Sequence, residues 1–151
     1  MIQRVRRAAV TVGDETVGEI GAGLVVLAAV EKGDSEQAIR DAAKKIRELR
    51  IFADDAGKMN RDVSEAGGAI LAVSQFTLAG SIAKGRRPGF DRAEEPERAR
   101  QLFEMFAGEL ASTGIAVRTG RFREHMIVTL ENDGPVTFIY VTPSHPPDRD
   151  E

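Results

Sequence analysis

Two short stretches of this 151-residue chain carry the side chains best suited to chemistry. In VSQFTLAG, residues 73–80, the residues Ser74, Gln75, Phe76 and Thr77 interrupt an apolar run with three side chains that hydrogen-bond. A sheet core avoids such groups unless they are satisfied or used. The plainer reading is ordinary strand alternation, with Gln75 and Thr77 toward solvent and Phe76 packed on the other face. The second stretch is NDGPVTF, Asn132 to Phe138, where Gly134 and Pro135 head what otherwise reads as a strand. Pro cannot donate to a ladder and Gly weakens a strand interior. The pair therefore marks a strand end, an edge or the close approach of another group, with a plain turn as the simpler alternative.

Other constellations are missing. The chain has no Cys, which removes thiol nucleophiles, disulfides and Cys-based zinc sites. Its two His are His125 and His145, so an imidazole metal site would need carboxylates to complete it. No metal and no cofactor is expected. There is no G-x-S-x-G elbow, no phosphate-binding G-x-x-x-x-G-K-[ST] loop and no dinucleotide fingerprint. Asp54 and Asp55 sit in a turn and read as caps or solvated charges.

The elements that must position these stretches follow from periodicity. IQRVRRAAVTV, the glycine-rich GDETVGEIGAG and the apolar LVVLAAV read as strand, hairpin region and buried strand. Residues 34–50 place Ile39, Ala42, Ala43, Ile46 and Leu49 at helical spacing, with Asp34 or Ser35 as N-cap. A polar, turn-rich segment follows, and AILAVSQFTLAG returns to strand composition. A second helix is predicted from about residue 95 to 112, with Pro96 in its first turn. IAVRTG, MIVTLEN and VTFIYVT read as three further strands. The predicted fold class is α+β, a single compact domain with a mostly antiparallel, barrel-like sheet and two flanking helices.

Length and a 42% hydrophobic content suit one packed core, assigned to residues 1–142, with 143–151 read as a Pro-rich disordered tail. The longest apolar run is too short for a bilayer and no secretory h-region follows the N-terminus, so a soluble, cytoplasmic protein is expected, with no membrane partner. A net charge of −3 speaks against a protein that coats nucleic acid. Three basic clusters nevertheless offer a local footprint for an RNA end: Arg4, Arg6 and Arg7; Lys84, Arg86 and Arg87; Arg118, Arg121 and Arg123. Each also reads as a solvated face.

S-Q-F-T and the Gly-Pro of N-x-G-P-V-T, in this order and at these positions, resemble the paired signatures of the D-aminoacyl-tRNA deacylases. IQRVRRAAVTV, GEIGAGLVVL, RIFADDAGKMNRDV, KGRRPGF, TGRF and LENDGPVTF extend the resemblance from residue 1 to about 142. Departures are small: Gly89 stands where Ser is common and Ala29 where Gly is frequent. The resemblance implies a homodimer that hydrolyses the ester between a D-amino acid and the terminal adenosine of tRNA, bound through its CCA end. It implies a catalytic segment at Ser74, Gln75, Phe76 and Thr77. It also implies substrate-binding residues Gly134, Pro135, Arg7, Met126 and Asn132, with a cis Gly134–Pro135 reaching into the partner's site. In that picture Arg7 holds the Gly-Pro orientation, Met126 and Phe76 line the adenosine pocket, and steric exclusion rejects L-amino acids. Two other readings rest on the residues alone. One is a non-catalytic module for RNA ends or nucleotides; the other is a small-ester hydrolase using Ser74 or Thr77 with His125 as base.

Overall fold

The computed structural model describes residues 1–143. Its strands are β1 (Ile2–Val12), β2 (Glu15–Ile20), β3 (Gly23–Ala28), β4 (Phe52–Ala53), β5 (Met59–Arg61), β6 (Ala69–Ser74), β7 (Val117–Thr119) and β8 (Ile127–Phe138). The helices are α1 (Glu36–Glu48) and α2 (Pro96–Ala111), and a single 3₁₀ turn spans Phe76–Ala79. Each helix starts where its chemistry directs. The Ser35 hydroxyl accepts from the Ala38 N–H at 3.1 Å, and Pro96 occupies the opening turn of α2, where no N–H is required.

β1 organises the sheet. β2 and β3 lie end to end along one of its edges, since the offset of Ala8↔Ile20 carries over to Val5↔Gly23, while β8 runs antiparallel along its other edge. β3 then pairs with β6, and β6 with β7, both in parallel. The barrel-like α+β domain with two helices is therefore observed, its sheet mixed, with three antiparallel pairings to two parallel. β2 curls back until a Cβ on Gly18 would lie 2.6 Å from the Thr119 carbonyl of β7 and 3.2 Å from Leu71. Only a glycine lets the sheet close so tightly there.

Successive side chains of β3 and β6 point to opposite faces, and both faces are buried. Leu24, Val26, Ile70 and Ala72 meet the apolar stripes of α1 and α2, namely Ile39, Ala43 and Ile46 with Leu102, Phe106 and Leu110. Val25, Leu71 and Val73 turn the other way and pack inside the curl with Val5, Val10 and Ile20. This explains why LVVLAAV reads as a continuous apolar run.

Three expectations are corrected. The turn-rich segment contains a small hairpin, β4 with β5, in which the Lys58 and Ala56 N–H groups donate to Asp54 and hold its carboxyl below the usual range. AILAVSQFTLAG is a strand only to Ser74, after which the chain winds into the 3₁₀ turn. MIVTLEN and VTFIYVT do not form two strands: β8 runs through NDGPVTF from Ile127 to Phe138. No helix among the described residues is long and apolar enough to cross a membrane. The tail expected from residue 143 lies, apart from Pro143, outside the described residues, as does His145.

Candidate active site

SQFT sits where β6 leaves the sheet. The Gln75 N–H donates to the Ala28 carbonyl at 2.8 Å, a last ladder bond before the turn, and the Leu78 N–H returns to the Gln75 carbonyl. Among the described residues, the N–H groups of Phe76 and Thr77 have no acceptor, as the opening donors of a helical turn do not. They are two adjacent main-chain donors at an exposed turn. Phe76 is 58% exposed, the reverse of the packed position that strand alternation requires. Its ring lies 5.0 Å from that of Phe90, tilted by 57°. Gly80 leaves the space for this pair, since a Cβ there would stand 2.9 Å from the Phe90 ring.

The Thr77 hydroxyl accepts from the Gln75 side-chain amide at 3.2 Å. An amide NH₂ is a donor and takes no proton, so the turn supplies Thr77 with no base. Among the described residues, His125 hydrogen-bonds neither Ser74 nor Thr77, so the Ser/Thr–His pairing of a conventional esterase is not assembled. Nor do any three His, Asp or Glu side chains among them cluster as metal ligands.

NDGPVTF forms a wide bulge. Val5 pairs with Asn132 and Gln3 with Thr137, so two steps on β1 face five on β8 and residues 133–136 stand out from the ladder. Gly134 and Pro135 are exposed at its tip, joined by a cis peptide. The base is held by side chains. Asn132 Oδ1 accepts from the Val136 N–H at 2.6 Å, and its Nδ2 donates to Thr137 Oγ1 at 2.9 Å. Arg4 donates through Nε to the Asp133 carbonyl at 2.9 Å and through Nη1 to the Ile51 carbonyl at 2.7 Å. A Cβ on Gly134, whose φ is +145°, would lie 2.6 Å from Val136 Cγ2 and 3.3 Å from Arg4 Nη2.

Two of the expected residues are already engaged within one chain. Arg7 pairs with Glu131 at 2.8 Å, and the residue that holds the Gly-Pro segment of its own chain is Arg4. Asn132 spends its amide on the bulge, where it holds the Gly-Pro segment in place. Met126 lies over Gly120, where a Cβ would meet its sulfur at 2.5 Å. Met126 packs against the inner cluster beside Val128. Phe90 and Arg4 as site residues carry no local signal in the sequence; their roles come from a ring contact and a strand register.

The structure does not bring the two signatures of one chain together. The bulge stands at the level of Arg4, opposite Leu24, whereas SQFT follows Ser74, opposite Ala28. Four residues along β3 and three strand spacings separate them, on the order of 20 Å along the sheet.

The family model described as D-Tyr-tRNA(Tyr) deacylase matches residues 1–141. The chain belongs to this family. Among its deacylase relatives, the D-aminoacyl-tRNA deacylase of Symbiobacterium thermophilum is 56% identical over 139 residues, 92% of each chain. That of Geobacter sulfurreducens is 55% identical over 144 residues, 95% of each. A solved structure described as c-Myc DNA Unwinding Element Binding Protein superposes with a TM-score of 0.88 at 37% identity, covering 94% of this chain and 97% of that one. The deacylase match contains both SQFT and the Gly-Pro bulge, so the two built features of the surface fall within the family's span.

Proposed function

We propose that this protein hydrolyses the ester of D-aminoacyl-tRNA, releasing the free D-amino acid and tRNA, and that it does so in the cytoplasm. The observation that carries the mechanism is the pair of open N–H groups at Phe76 and Thr77, beside an exposed aromatic pair, in a chain of the deacylase family. A terminal adenosine stacks on such a surface, with Phe76 and Met126 as its walls. The two N–H groups stabilise the oxyanion as the ester carbonyl becomes tetrahedral.

Water is the nucleophile. The ribose 2′-hydroxyl of the substrate orients it and relays its proton. The oxygen of water bonds to the carbonyl carbon, the bond from that carbon to the 3′-oxygen breaks, and the 3′-oxygen takes up a proton. Thr77 lacks a neighbouring base, which supports this route over attack by its hydroxyl. On this reading Thr77→Ala keeps deacylation within about tenfold of wild type. A tRNA ending in 2′-deoxyadenosine binds normally and reacts slowly. Complete loss in Thr77→Ala with normal binding would instead make Thr77 the nucleophile.

Chirality is read by a second copy. The separation of bulge and turn within one chain supports a homodimer in which Gly134–Pro135 of one protomer enters the partner's SQFT site. Main-chain carbonyls there accept from the substrate ammonium and leave no room for an L side chain, while a D side chain points outward. D-amino acids of many kinds are then substrates, and glycine is incompletely excluded. Deacylation of D-Tyr-tRNA against L-Tyr-tRNA, with a chelator present, tests the whole reading: the D ester is cleaved and the L ester spared. The name of the neighbour at TM-score 0.88 favours a second reading, a nucleic-acid-binding module, which binding of both esters without turnover would support.

A further inference from the structure

The three basic clusters fare differently in the fold. In the first cluster Arg4 is consumed by the bulge and Arg7 is paired with Glu131; in the third, Arg121 is tied to Glu15 at 2.9 Å, so that each keeps exposed cations without a carboxylate partner among the described residues, Arg6 in one and Arg118 and Arg123 in the other. Lys84, Arg86 and Arg87 are all exposed and, among the described residues, have no carboxylate partner. They sit together on one loop, residues 82–88, whose base is closed by reciprocal bonds. The Ser81 N–H donates to the Gly89 carbonyl at 2.8 Å and the Gly89 N–H to the Ser81 carbonyl at 2.9 Å. Gly85, at φ +71°, turns the chain between Lys84 and Arg86. The residue just past the base is Phe90, whose ring packs on Phe76 of the candidate site. Three unneutralised cations are thus anchored beside the exposed N–H groups on a protein whose net charge is −3.

We infer that the loop 82–88 grips the phosphodiester backbone of the RNA immediately behind the reacting 3′ end, through Lys84, Arg86 and Arg87. This rests on the deacylase reading of the neighbouring site and adds to it the surface that holds the rest of the substrate. The guanidinium fork matches phosphate oxygens, and a cation already committed to a carboxylate would have to surrender it first. Placing three cations on one closed loop concentrates the attraction at the site mouth.

The test uses full-length protein and two readouts. The first is binding of an uncharged acceptor-stem minihelix with a CCA end, titrated over a range of salt. The second is turnover of a D-aminoacyl ester of adenosine alone, which has no backbone to grip. In the triple variant Lys84→Ala, Arg86→Ala, Arg87→Ala, minihelix binding falls tenfold or more at about 50 mM salt, and the slope of log affinity on log salt shrinks by about 2 to 3. Turnover of the adenosine ester is unchanged, as are both readouts in the control Lys44→Ala, Lys45→Ala on the exposed side of α1. Unaltered binding and slope in the triple variant overturn the assignment, and so does an equal loss on the adenosine ester, which would make the loop part of the catalytic framework. Wild-type protein that binds the minihelix with the expected salt slope but cleaves no D ester would sink the deacylase reading and leave the loop assignment standing.

Discussion

At the scale of single residues, the contrast between Arg4 and Arg7 is the sharpest. Both are arginines of one strand three positions apart, yet only Arg4 reaches the Asp133 carbonyl, because the ladder sets it beside the bulge while Arg7 falls opposite Glu131. Arg4→Ala removes the donor to the Asp133 carbonyl that fixes the tip and its anchor on Ile51, and a misplacement of about 1 Å at a reacting centre costs on the order of a hundredfold in rate. Its deacylation rate is expected to fall by that order. Arg7→Ala breaks an exposed ion pair, which is worth about 0 to 1 kcal/mol, and leaves the rate within about threefold. Parallel kinetics of the two variants on D-Tyr-tRNA decide the point, and equal losses would give Arg7 a role in the site beside Arg4. Gly134 answers to a steric argument. Gly134→Ala must place a methyl against Val136 and Arg4 at a positive φ, so it loses about a hundredfold in rate while its circular dichroism stays that of wild type.

At the scale of elements, the turn and the bulge are both departures from a regular sheet, and each is held by neighbouring elements. β6 ends at Ser74 because its last bond, from the Gln75 N–H, goes to the end of β3 and nothing beyond Ala28 continues the ladder. The bulge on β8 survives because Asn132, Thr137 and Arg4 replace the ladder bonds it forgoes. The curl that brings β2 onto β7 has its own weak point. Gly18→Ala puts a methyl 2.6 Å from the Thr119 carbonyl, a backbone atom that cannot step aside. The expected cost is about 1 to 3 kcal/mol, seen as a lower urea midpoint at an unchanged m-value. A midpoint equal to wild type would mean that β2 and β7 are not held so closely in solution.

At the scale of the whole molecule, the turn and the bulge of one chain stand apart and an apolar edge lies open. Among the described residues β8 pairs with β1 alone, and Ile127, Phe138, Ile139 and Val141 are exposed on it and just beyond it, an apolar area suited to a second copy. If that copy supplies Gly134–Pro135, activity and association are one property. Ile139, 76% exposed, is the site to test. Ile139→Lys shifts the sedimentation coefficient toward that of a monomer and lowers deacylation in proportion to the monomer formed. A monomeric variant with full activity and full D selectivity would mean that the Gly-Pro segment does not act across an interface.

Much of this was legible in the residues themselves. The two helices announce themselves through apolar periodicity and through Ser35 and Pro96, whose effects are local. The family is readable because SQFT and Gly-Pro stand in register in a chain of matching length. What only tertiary structure decided is relational. The strand reading of VSQFTLAG failed because the end of a strand is set by where its partner stops, which composition does not encode. The two strands read around Gly134 proved to be one, because a bulge differs from a turn only in whether β1 continues alongside. Arg4's hold on the bulge was decided for the same reason: hydrogen-bond reach depends on pairing across 129 residues of sequence, and no local pattern reports it.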